Sequence, residues 1–154
     1  MKYPDSFFIS SGIGISEHQL VAFDNALIDA RIANYNLLRV TSILPAGATQ
    51  ANSIELREGS PLLTAFARID SNTPGDCIAT AVGVAIPSSS GDVGVIMEYS
   101  GHCTSLEAEE KIKAMCIEAM HNHGIAYKDI LVTSIDAVVG DNGYTSLISA
   151  LSFW

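Results

Sequence analysis

The 154-residue sequence is short of basic residues: 8 lysines and arginines stand against 17 acids, a formal net charge of −9. It has no basic run and no basic helix face, which argues against nucleic acid as a partner. Cysteine is scarce as well. Cys77, Cys103 and Cys116 are odd in number, scattered and without a C-x-x-C pair. A disulfide framework is therefore not indicated, and a reduced, cytoplasmic chain is expected. No apolar run approaches the roughly 18 residues of a membrane span. Pro4 and Asp5 interrupt the N-terminal stretch where a secretory signal would need its apolar centre. Charged residues of both signs make up only 16%, against 48% apolar. So little charge leaves apolar surface to be covered, which predicts an oligomer. The length suits one domain, residues 1–154, with its own core.

What is present divides into two helical patterns among many strands. A short apolar strand is expected at 7–9, then a loop at Gly12-Ile13-Gly14, then a helix over 17–33. In that helix Leu20, Phe23, Leu27 and Ala30 repeat on one face. A strand over 37–43 is stopped by Pro45-Ala46-Gly47. Strands at 61–69, 77–86 and 93–99 are separated by turn residues, clearest at 72–75 and 88–91. Thr104 with Glu107 fits a capping box opening a second helix, which Gly124 closes. Strands near 130–139 and 145–153 finish the chain. Connections too short for crossover helices predict an α+β domain of mostly antiparallel sheet, with two packed sheets flanked by helices.

Candidate chemistry is sparse. His121 and His123 are i, i+2 neighbours that point apart on a helix, so they read as a solvated C-terminal turn and no metal site is expected. A Thr-Ser pair occurs four times, at 41, 104, 133 and 145, and three of these suit a cap or a strand. Ser42 differs in lying where a β-run meets a Pro-Gly stop, a place where a sheet can hold backbone strain. Glu98 ends a strand that otherwise reads as core. It either meets water there or is partly desolvated with a raised pKa. Asp24 beside Phe23 and Asn36 before Leu37-Leu38 would ordinarily be solvated polar residues.

Taken together, "AFDNALIDA", "NYNLLRVTSILP", "ATAVGVAIP", and "GVIMEYSG" with the following "SLEAEEKIKAM" resemble the pyruvoyl-dependent arginine decarboxylase family. The ordered blocks run from about Leu20 to Ala119. The resemblance implies a four-layer αββα sandwich, assembled as a homotrimer with active sites between protomers. It implies self-cleavage between Thr41 and Ser42, giving a short chain 1–41 and a chain 42–154 that begins with a pyruvoyl group derived from Ser42. That ketone would form a Schiff base with arginine and accept the electrons released on decarboxylation to agmatine, with no metal and no pyridoxal phosphate. By the same resemblance Glu98 returns a proton to the substrate carbon and Asn36 polarises the reacting carbonyl. Asp24 faces the guanidinium, and Leu20 and Leu27 line the aliphatic stem. Gly12 with Ser10 and Ser11 falls in a loop that closes the pocket, although this stretch matches less closely. Thr41 stands where the family commonly has Ser, which is chemically equivalent because only its carbonyl reacts. Two rival readings remain at this level. One is the same chemistry on another amino acid; the other is an unprocessed, non-catalytic αββα trimer acting as a binding or assembly protein.

Overall fold

The computed structural model describes residues 2–154. In chain order the elements are β1 (Ser6–Ser16), α1 (Gln19–Asp29), β2 (Asn36–Arg39), β3 (Ile43–Leu44), β4 (Thr49–Gln50), β5 (Pro61–Ser71), β6 (Cys77–Pro87), β7 (Gly94–Gly101), α2 (Ser105–His123), β8 (Tyr127–Val138) and β9 (Tyr144–Phe153). They form two sheets, β2-β5-β9-β1-β4 and β3-β7-β6-β8. Pairing is antiparallel except for the short parallel ladders β1–β4 and β2–β5.

Four apolar clusters place the layers. Phe7, Leu44, Ala65, Val82, Ile96 and Leu151 meet between the sheets, joined at one end by Ile78, Val139 and Leu147. Ala26 and Ala30 of the first helical segment pack on Phe8, Leu62 and Ile148, on the outer face of the first sheet. Ile112, Cys116 and Met120 of α2 pack on Ala79, Ala81, Ala85 and Val95, on the outer face of the second. The order is helix, sheet, sheet, helix, as expected. β6 and β9 are covered on both faces, which is why they read as nearly unbroken runs of small and apolar residues.

The second helix also follows its sequence signals. Thr104 and Glu107 form a reciprocal capping box, and Gly124 closes the helix in the left-handed region at φ 68°. Three expectations need correction. The helix expected over 17–33 is only α1: Ala30 caps it, and Arg31 turns away at φ 62°. The buried face is also not the expected one: Ala22 and Ala26, continued by Ala30 and Ile32 beyond the helix end, are buried, whereas Leu20 is exposed and Phe23 and Leu27 are half-buried. Gly12-Ile13-Gly14 is not a loop but lies within β1. A Cβ at Gly12 would stand 2.2 Å from the Ala26 carbonyl oxygen, and one at Gly14 would stand 2.0 Å from that of Ala22. These glycines let α1 lie directly on the strand, a clearance role that in sequence resembles a turn. Finally, the single strand expected over 37–43 is two strands in different sheets, β2 and β3.

Candidate active site

The break between β2 and β3 builds the site. β2 runs parallel to β5 until Arg39 stands opposite Thr64, and the Val40 N–H still donates to the Thr64 carbonyl at 3.2 Å. The chain then crosses to the second sheet. There the Ser42 carbonyl accepts from the Ile96 N–H at 2.7 Å, and Ile43 pairs with Val95. The Thr41–Ser42 bond is thus the crossing itself, with Thr41 exposed and Ser42 half-buried. Arg39, Val40, Thr41, Ser42, Ile96, Met97 and Glu98 line a hollow of about 330 Å³ beside it. No left-handed backbone marks the bond: among the described residues Arg31 is the one non-glycine with positive φ. The other three Thr-Ser pairs lie, as expected, at the α2 cap and within β8 and β9.

Glu98 reaches the same hollow from β7, opposite Val82 of β6. Arg39 Nη1 donates to its Oε1 at 2.9 Å, and the guanidinium lies 4.0 Å from the Phe66 ring centroid. Burial pushes the Glu98 carboxyl above its ordinary value. The Arg39 charge, its hydrogen bond and the Phe66 N–H pull the other way without cancelling the rise. Glu98 is therefore both near a strand end and partly desolvated, since 37% of its side chain remains exposed. Sequence reasoning passed over Arg39. The available signal was an arginine in an apolar strand three residues before the singled-out serine.

The remaining candidates lie elsewhere on the protomer. Asn36 opens β2 at its far end, where its Nδ2 donates to the Gly59 carbonyl at 2.8 Å. At about 3.3 Å per strand residue it stands roughly 10 Å from Arg39 and farther from Ser42. Asp24, exposed on α1, lines a second hollow of about 430 Å³ with Leu20, Val21, Phe23 and Leu27, and this shares no residue with the first. Leu20 and Leu27 stand about one helical turn to either side of Asp24 in this hollow. Between the hollows runs Arg68, 3.7 Å from the Phe23 centroid and beside Glu98 in a smaller depression. Its Nε and Nη2 donate to Asp70 at 3.1 and 2.7 Å. Burial would raise the Asp70 carboxyl, but hydrogen bonds from Arg68, Ser146 and Gln19 outweigh it and hold the group below its ordinary value.

Ser10, Ser11 and Gly12 form no loop over either hollow. Ser11 Oγ bonds Thr133 Oγ1 at 2.9 Å and Ser149 Oγ at 2.7 Å, within a hydroxyl chain that reaches Thr80 between the sheets. Ser10 is a buried hydroxyl without a partner, and Gly12 lies beneath α1. His121 and His123 are exposed in the last turn of α2.

A sequence model of the pyruvoyl-dependent arginine decarboxylase family matches residues 6–154. The chain belongs to that family. Among curated relatives, the pyruvoyl-dependent arginine decarboxylase of Methanocaldococcus jannaschii is 40% identical over 114 residues, 74% of this chain and 69% of that protein. The proteins of the same name from Thermococcus kodakarensis and Pyrococcus abyssi are 34% identical over 151 residues and 35% over 137. These cover 97% and 88% of this chain, and 96% and 86% of the relatives. In this member of the pyruvoyl-dependent arginine decarboxylase family, both hollows and the sheet crossing fall inside the matched residues. The chain is thus of a family of enzymes, and no helix among its described residues is long and apolar enough to cross a membrane.

Proposed function

We propose that this chain cuts itself between Thr41 and Ser42 and decarboxylates L-arginine to agmatine and carbon dioxide. The observation that carries this reading is the position of the bond. Because β2 and β3 belong to different sheets, a cut at the crossing leaves both ladders paired and frees two chain ends into a hollow. The Ser42 hydroxyl attacks the Thr41 carbonyl carbon, and the acyl group moves from nitrogen to oxygen. Elimination then expels Thr41 as a carboxylate and leaves a dehydroalanine, which takes up water and loses ammonia to give the ketone. The residues fit a ketone there: the carbonyl that Ile96 holds is retained as the Ser42 Cα becomes the ketone carbon and its Cβ a methyl, a change with no net oxidation, so the new group stays anchored beside Glu98. Once formed, it supplies a carbonyl that takes the substrate α-amine and accepts the electrons released as carbon dioxide leaves.

The protein's own residues then act in order. Glu98, disposed by burial to keep a proton, returns one to the substrate carbon. Asp24 offers two carboxylate oxygens to the planar guanidinium, between Leu20 and Leu27. Asn36 donates to the reacting carbonyl. Within one protomer Asn36 and Asp24 stand apart from Ser42, which supports a homotrimer whose neighbours complete each other's sites. Leu20, Val21, Ile28, Leu38 and Ile43 are exposed apolar residues available for such contacts.

Intact-mass analysis of purified active protein tests this directly. Two fragments, 1–41 and 42–154, are expected from the wild type, with the second lacking ammonia and trapped on labelled arginine by borohydride. A single chain is expected from Ser42→Ala. Activity from wholly uncut protein would overturn the reading.

A further inference from the structure

We propose that Arg39 is a positioning residue, which holds the Glu98 carboxyl at the Thr41–Ser42 crossing and sets when that carboxyl gives up its proton. This deepens the reading above and rests on it. The geometry is specific. The guanidinium carbon lies over the Phe66 ring, 4.0 Å from its centroid, and Nη1 donates to Oε1 of Glu98 at 2.9 Å. Arg39 is also two residues before the bond that is cut, so it belongs to the short segment while Glu98 belongs to the long one. After cleavage the pair ties the end of residues 1–41 to the strand that carries the acid.

The other groups around Glu98 cannot take this part. Arg68 of β5 lines the neighbouring depression, but two of its donors are held by Asp70. The Phe66 N–H of β5 is neutral, Val82 opposite on β6 is apolar, and Thr41 and Ser42 bring only hydroxyls. α2 packs behind β7, where Lys111 stands 4.9 Å from the ring of Tyr99, the residue that follows Glu98. Among the described residues Arg39 is therefore the one cation paired with Glu98. A cation beside a carboxylate favours its charged form. Arg39 thus opposes the effect of burial on Glu98 and favours the charged carboxylate.

Two measurements test this on Arg39→Met and Arg39→Lys. In uncut Ser42→Ala protein, the Glu98 carboxyl is followed by carbon-13 NMR through a pH titration, with and without Arg39→Met. In the processed enzyme, kcat is measured against pH for both Arg39 variants and the wild type. Arg39→Met is expected to move the Glu98 titration and the basic limb of kcat to higher pH while lowering the plateau. Arg39→Lys should return the basic limb and the plateau toward the wild type. Identical titrations and identical limbs in Arg39→Met and wild type would overturn the assignment. Failure of the underlying reading looks different: the wild type stays uncut, or Glu98→Gln keeps the full rate and the limb. The NMR titration still decides the hold of Arg39 on Glu98 in that case.

Discussion

Glu98, the proton donor of the proposed mechanism, is a carboxyl partly buried at the expense of stability. Its folded carboxyl binds a proton more tightly than the same group in the unfolded chain, because burial outweighs Arg39 and the Phe66 N–H. Between the ordinary carboxyl range and that raised value, the native state holds more protons than the unfolded state. Stability therefore falls as pH rises through this window. Glu98→Gln removes the effect. Its melting temperature should exceed that of the wild type at neutral pH, and the difference should vanish below the ordinary carboxyl range. Its kcat should fall by about 10²–10⁴, the usual worth of a positioned acid. Calorimetry across pH checks the first part, and a pH-independent gain would count against it. Glu98 could be singled out from sequence because a carboxylate ending an apolar strand is unusual. Arg39 carried a weaker signal, because an arginine in a strand ordinarily marks a solvated face, and its partner lies far along the chain.

At the level of elements, the signals that were read correctly are the local ones. The α2 cap needs only Thr104 and Glu107, and its end needs only Gly124, so adjacent residues specify both. Glycines in β1 carry a non-local reason, the backbone of α1 lying across them, and the sequence offers no means of telling that from a turn. Gly12→Ala should confirm the difference. A methyl group there meets backbone atoms of α1 rather than a flexible side chain, so α1 must lift from the strand. A loss of about 1–3 kcal/mol is expected from the shift in the denaturant midpoint. A neutral result would show that the helix yields freely. The β2–β3 break is likewise non-local. Residues 37–43 read as one strand because both halves suit a strand, and only the partners β5 and β7 divide them.

For the whole molecule, the four layers follow from the need to cover two sheets and two helical faces. The candidate site is less complete at this scale. Ser42, Thr41 and Glu98 converge in one protomer, whereas Asn36, Asp24, Leu20 and Leu27 do not join them. If neighbouring protomers complete each site, variants damaged in different halves can complement one another. Co-expressed Ser42→Ala and Asn36→Ala chains should give hybrid trimers with part of the wild-type activity, although each variant alone is inactive. Sedimentation of the mixture confirms the assembly. Hybrids as inactive as their parents would mean that each protomer works alone.

The sequence by itself determined the order of the two helices and the long strands, the caps of α2, the family, and the serine and carboxylate worth testing. Each of these depends on neighbouring residues or on ordered blocks. Tertiary structure decided that Thr41–Ser42 is a crossing between sheets, that β1 runs unbroken through its glycines, and that Arg39 meets Glu98. The physical reason is the same in all three: pairing partners, packing clearances and ion pairs join residues far apart in the chain, and only the folded molecule brings them within bonding distance.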